Sequence, residues 1–177
     1  MKPYFLYFAY GSNLLSSRLR ARTASARVVG RAVLRSHVLR WHMASADGSG
    51  KCDVVAIDDA DAAVHGVVYR IDLAEKPLLD RAESLGVGYR EERVTVELAG
   101  HRAMACVYRA LRIDAAAVPY DWYHALVLGG AREHDLPAHY RQRLAAVTTR
   151  PDPDPQRASL HFALVHGAGV DLSGRPA

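Results

Sequence analysis

A chain that runs Tyr4-Phe-Leu-Tyr-Phe-Ala9 and then stops at Tyr10-Gly-Ser-Asn13 has few ways to continue. The unbroken aromatic and aliphatic run reads as a strand buried on both faces. Gly11, Ser12 and Asn13 interrupt it with turn chemistry. Leu14, Leu15, Arg18, Leu19 and Arg22 then recur at helical spacing, so a short helix follows. That succession leaves free backbone N–H groups at the helix start, where a negatively polarised ligand can be held. Gly11 lets a ligand come close to the backbone, and Ser12 and Asn13 offer polar groups that could also cap the helix. Strand–Gly–Ser–Asn–helix is equally an ordinary capped turn, so the loop alone does not decide function.

The rest of the chain reads as strands, a helix, strands and helices. Arg27 to Ala46 alternates imperfectly, as one or two strands, and Asp47-Gly-Ser-Gly50 is a loop. Val54 to Ile57 and Val64 to Ile71 are further strands. Leu73 to Glu83 is helical, with Asp72 and Glu75 as a capping pair and Ala74, Leu78, Leu79 and Ala82 on one apolar stripe. Arg90 to Leu98 and Ala103 to Arg112 alternate around Ala99-Gly-His101 as a hairpin. Pro119 to Glu133 and Pro137 to Val147 each open at a proline suited to a first helical turn. This order predicts an α+β domain with a curled mixed sheet over residues 1–150. From Pro151 the PDPDPQ text forbids regular structure, so 151–177 reads as a Pro-rich C-terminal extension; Ser159 to Val165 in it could add an edge strand or a partner contact.

Composition narrows the function classes. Of the 177 residues half are hydrophobic and 24% charged, enough for a core without staples. No apolar run approaches the ~18 residues of a membrane span. Only Lys2 precedes the first apolar run and no small-residue cleavage site follows it, so the expected setting is cytoplasmic, with no membrane partner. Cys52 and Cys106 have no paired spacing and read as reduced core thiols. The net charge of +4 comes mostly from scattered arginines rather than a block, which argues against a nucleic-acid partner and for a weak attraction to small anions. The nine histidines form no HExxH and no recognised ligand pair, so no metal is expected. Neither a G-x-S-x-G elbow nor a phosphate loop ending in Gly-Lys-Ser/Thr occurs.

Among the acids, Glu83 stands apart. It borders the apolar stripe at a helix C-terminus, just before a glycine-rich loop, an environment that would disfavour its charged form and suit a general acid or base. A boundary glutamate paired with Arg81 or Arg90 is the plainer alternative. Glu75 is better explained as a capping residue.

Together these residues resemble the γ-glutamylcyclotransferase family, which includes γ-glutamylamine cyclotransferases and AIG2-like proteins. The likeness rests on FAYGSNL at Phe8 to Leu14, on the Gly66–Leu98 stretch and on Tyr123–Leu144. It implies a small mixed β-barrel with surrounding helices and a pocket at one end. It further implies that Tyr10, Gly11, Ser12, Asn13 and Leu14 hold a γ-glutamyl group, that Glu83 is the acid/base, and that Tyr89 and Tyr123 (before a Gly-Gly-Ala turn) are pocket walls. The implied reaction cyclises a γ-glutamyl group to 5-oxoproline and releases an amino acid or amine. It needs no cofactor, and a homodimer is compatible with it. A binding module without turnover, or an enzyme removing a γ-glutamyl protecting group in a biosynthetic pathway, remains open. One departure is visible: the family glutamate is usually followed at once by Gly-Val, whereas Glu83 is followed by Ser84-Leu85 before Gly86-Val87.

Overall fold

In a computed structural model, which describes residues 2–169, the strands close into a barrel. The elements are β1 (Tyr4–Ala9), α1 (Ser16–Arg22), β2 (Arg27–Arg35), β3 (His37–Ala44), β4 (Gly50–Ala56), β5 (Ala63–Asp72), α2 (Lys76–Ala82), β6 (Tyr89–Leu98), β7 (His101–Ala110), α3 (Asp121–Glu133), α4 (Ala138–Ala145) and α5 (Pro155–Gly167). The barrel order is β1-β5-β2-β6-β7, while β3 and β4 form a separate ribbon. All barrel pairings are antiparallel except the closing one, where β1 runs parallel to β7 at Tyr7 and Cys106. Closure leaves the sheet no free edge, and the expected mixed barrel with outer helices is what the chain forms.

Hydrophobic alternation explains most of this. Tyr7, Phe8 and Ala9 are buried, as an apolar run bounded by a turn should be, and Tyr69, Val68 and Val67 of β5 pair with them in that order, while Ile71 pairs with Phe5. The β6–β7 hairpin turns on Ala99 and Gly100, both at positive φ (49° and 81°), with Leu98 paired to His101. That is the left-handed pair a two-residue hairpin turn requires.

Several expectations are corrected. Asp72 makes no side-chain cap; Glu75 instead accepts from Ser25 N–H (3.0 Å) and Ser25 Oγ (2.7 Å), tying the start of α2 to the approach to β2. On the predicted apolar stripe only Leu79 is buried, and Leu78 is 47% exposed. Gly129 and Gly130 lie inside α3, not in a turn. Ser159 to Val165 belong to helix α5, not to an edge strand. The prolines of PDPDPQ misled because Asp154 accepts from the Gln156 and Arg157 N–H groups as an N-cap and Pro155 takes the first helical position. Val165 of α5 is buried against α3. The last residues of the expected extension, 170–177, lie outside the described residues. No helix among the described residues is long and apolar enough to cross a membrane.

Candidate active site

At one end of the barrel a pocket opens among Tyr7, Tyr10, Gly11, Ser12, Asn13, Cys52, Glu83, Tyr89, Tyr108 and Tyr123. Its floor is the loop that β1 runs into. The chain leaves Ala9, passes Tyr10 and Gly11, and makes a single 3-10 turn over Ser12–Leu14 before α1. Gly11 is needed where it lies: a Cβ there would stand 3.1 Å from Cys52 Cβ and 3.2 Å from Tyr123 Oη. Neither Ser12 nor Asn13 caps α1. The N–H of Ser16, the first residue of α1, instead donates to Glu133 Oε2 of α3 at 2.8 Å. With capping left to α3, the loop's two polar side chains are free for other work.

Asn13 is buried and joins the two halves of the site. Its Nδ2 donates to Glu83 Oε1 at 2.8 Å and to Tyr7 Oη at 3.0 Å, and its Oδ1 accepts from Arg22 at 3.0 Å. Arg22 also donates to Glu83 Oε1 at 2.7 Å. Glu83 is thus paired, but with Arg22 of α1 rather than Arg81 or Arg90. Both donors go to Oε1, leaving Oε2 without a hydrogen bond among the described residues. Burial pushes the phenols of Tyr7, Tyr10, Tyr89 and Tyr123 well above their usual range, so all four stay protonated. Tyr10 donates to the Tyr108 carbonyl, Tyr89 donates to the Cys52 carbonyl at 2.8 Å, and Tyr123 Oη accepts from Cys52 N–H at 3.1 Å. These bonds fix the pocket walls to β4 and β7. Cys52 itself is buried, and burial raises its thiol above the usual range, so it stays a neutral wall residue.

Glu83 sits on a helix end with its own geometry. The Ser84 N–H donates to Arg81 O at 3.0 Å and the Leu85 N–H to Asp80 O at 2.9 Å, with Ser84 at φ 51°. This is a Schellman cap whose left-handed position holds serine instead of the usual glycine. The departure noted in the sequence is therefore a change of residue at the cap: Ser84 takes the conformation in which a glycine after the glutamate would be at ease.

Of the residues singled out from sequence, Tyr10, Gly11, Ser12, Asn13, Glu83, Tyr89 and Tyr123 converge on the pocket. Leu14 does not line it; its side chain is in the core and its carbonyl accepts from Tyr69 Oη (2.9 Å) and His134 Nε2 (3.0 Å). Sequence reasoning missed Tyr7, Tyr108 and Cys52 on the walls and Arg22 behind the acid. The signal for Arg22 was present in its four-residue spacing from Arg18, which puts both guanidiniums on one face of α1.

A closed barrel with one carboxylate, a tightly packed glycine in the loop and buried, neutral tyrosines around the cavity defines a small-molecule pocket. Its relatives give that class a family. The AIG2-like family matches residues 63–144. A γ-glutamylcyclotransferase of Mus musculus is 30% identical over 155 residues, spanning 81% of this chain and 78% of the mouse protein. One of Homo sapiens is 30% identical over 148 residues with the same coverage. A solved γ-glutamyl cyclotransferase superposes with a TM-score of 0.81 at 25% identity, over 90% of this chain and 99% of the other. The chain belongs to the γ-glutamylcyclotransferase family.

Proposed function

We propose that the protein is a γ-glutamylcyclotransferase that converts a γ-glutamyl group to 5-oxoproline, with Glu83 as its acid/base. The observation that carries the assignment of roles is the Asn13–Glu83 hydrogen bond of 2.8 Å, which holds the one carboxylate of the pocket against the Ser12-Asn13 loop. The substrate's α-amine attacks its own γ-carbonyl, a new C–N bond forms, and the bond to the leaving nitrogen breaks. Glu83 Oε2 takes one ammonium proton, the attacking nitrogen sheds a second as it becomes the lactam N–H, and both pass through Glu83 to the leaving nitrogen, which departs as an ammonium. Because nucleophile and electrophile share one molecule, the reaction draws on no cofactor, and folding the substrate into a near-attack shape supplies several kcal/mol of the barrier. Tyr10, Gly11, Ser12 and Asn13 contact the γ-glutamyl group, while Leu14 anchors the loop from the core side. The Ser12 and Asn13 N–H groups, which open the 3-10 turn ahead of its first internal bond from Leu14 to Gly11, face the developing oxyanion. Tyr89 and Tyr123 form the walls on the leaving-group side. The reading carries a cytoplasmic setting and permits a homodimer.

The test is a panel of γ-glutamyl dipeptides, glutathione and γ-glutamyl amines, with 5-oxoproline as the readout. Turnover of any member separates an enzyme from a silent binding module, and preference for amines favours a deprotecting role. Glu83→Gln keeps the shape and a hydrogen bond from Asn13 but cannot take the proton. It should still fold and bind substrate while losing ~10²- to 10⁴-fold in rate. Near-normal turnover in that variant would sink the assignment.

A further inference from the structure

Behind the loop lies a cluster of cations of which only Arg22 touches the acid. Arg18 of α1 is 9% exposed, and its Nε donates to Ser12 Oγ at 3.0 Å. Its NH1 lies 3.2 Å from Nδ1 of His161 on α5. His161 is stacked on Trp122 with ring centroids 4.0 Å apart. The surrounding charges are accounted for: Arg22 pairs with Glu83, Lys51 with Asp47 at 2.7 Å, and Arg157 with Asp152 at 2.5 Å. Arg18 alone in this cluster has no carboxylate within ion-pair distance among the described residues. Burial with Arg22 close by lowers its pKa to about 10, and burial with Arg18, Lys51, Arg22 and Arg157 around it lowers His161 to about 4. His161 is therefore neutral and accepts from Arg18 instead of opposing it. A buried cation without a counter-charge is costly to keep.

Ser12 turns that charge towards the pocket. Its Oγ is occupied as an acceptor by Arg18, and Ser12 itself lines the pocket. The hydroxyl proton is thus turned away from Arg18, and its acidity is raised by the guanidinium behind it. On the far side of Asn13 stands Glu83, whose carboxylate suits an ammonium. Every γ-glutamyl substrate carries an ammonium and a carboxylate on one carbon, and the pocket offers the opposite pair across two adjacent loop residues.

We infer that Ser12, polarised by the buried Arg18 behind it, is the subsite for the substrate's α-carboxylate, with Arg18 as a positioning residue that acts through Ser12. The inference rests on the γ-glutamyl reading of the pocket and assigns one end of that ligand. Arg18 supplies a lasting charge for a lasting anion, whereas the oxyanion of the reaction is transient. The serine hydroxyl fixes the carboxylate and so sets which rotation about the α-carbon brings the amine over the γ-carbonyl.

Calorimetry of the full chain with 5-oxoproline and with its uncharged carboxamide tests this without turnover. Wild type should prefer the carboxylate by about ten- to a hundredfold, the range of one hydrogen bond with charge assistance. Arg18→Gln and Ser12→Ala should each bind the two ligands about equally. Arg18→Lys should recover part of the preference, which a role confined to packing would not predict. With a γ-glutamyl dipeptide the loss in Arg18→Gln should fall on KM more than on kcat. Retention of the preference in Ser12→Ala, or in a folded Arg18→Gln, overturns the inference even if 5-oxoproline is formed normally. A wild type that discriminates through Arg18 yet forms no 5-oxoproline upholds the subsite and removes the enzymatic reading instead.

Discussion

The two halves of the site are built in opposite ways. The loop half is buried and pinned from several sides. Ser12, Asn13, Leu14 and Leu15 are all buried, the Leu14 carbonyl takes two donors, and α3 lies directly on the loop backbone. The acid half is a seven-residue helix with only Leu79 buried, followed by a turn whose Leu85 and Val87 are 41% and 64% exposed. Glu83 nevertheless has two well-formed hydrogen bonds, both donated by residues of the loop half, Asn13 and Arg22. The acid is therefore placed by the opposite wall of the pocket more than by its own helix.

Gly130→Ala is the substitution that should break this contrast most severely. A Cβ on Gly130 would stand 2.3 Å from Leu15 N and 2.4 Å from the Leu14 carbonyl carbon. Those are backbone atoms, so no rotamer change relieves the clash and either α3 or the loop must shift. Thermal or urea melts should show a loss of about 1–3 kcal/mol or more. 5-Oxoproline formation should fall further than the folded fraction does, because a displacement on the order of 1 Å can cost ~10²-fold. Val87→Ser, on the exposed turn of the acid half, should stay within about 0.5 kcal/mol of wild type. Equal melts for the two variants would mean that the loop is not pinned.

Arg22→Gln addresses the tie between the halves. It removes the cation from Glu83 and one bond from Asn13 Oδ1, both at side chains that are mostly covered. A hydrogen bond to a charged group is worth about 1.5–3 kcal/mol, so a stability loss of roughly 1–2 kcal/mol is expected where some water remains. If the loop half places the acid, kcat/KM should fall by about tenfold or more beyond what the melt explains. Unchanged kcat/KM would hand the positioning back to α2.

What could be read from the sequence follows the same division. The string Tyr10-Gly-Ser-Asn13 announced itself because a local turn needs local residue types. The barrel strands did so because alternation is a property of neighbours in the chain. Gly130 was mistaken for part of a turn because its reason lies in a backbone contact with Leu14 and Leu15, more than a hundred residues away. Tyr7 and Tyr108 escaped notice as ordinary strand aromatics, since only barrel closure brings them together, with ring centroids 5.8 Å apart. Helix α5 was misread for another reason: Asp154-Pro155 carries the signals of a helix start, but two further prolines upstream made it resemble a break.

A small gain, opposite in sign to the losses above, is expected from the variant that tests the acid half alone. Ser84 holds the left-handed position of the cap after α2 at φ 51°, and no other part of the site depends on its side chain for a hydrogen bond among the described residues. A non-glycine residue in that conformation costs about 1–2 kcal/mol. Glycine would relieve the strain but lose about 0.5–1 kcal/mol through the greater freedom of its unfolded chain. Ser84→Gly should therefore stabilise the protein by a net ~0.5–1 kcal/mol, seen as a rise of about 2 °C in the melting midpoint. Turnover should not change, because Asn13 and Arg22 would still hold Glu83 in the relaxed cap. A fall in kcat alongside the gain in stability would show that the strained turn itself takes part in aiming the acid, and the two halves would then be less independent than their packing suggests.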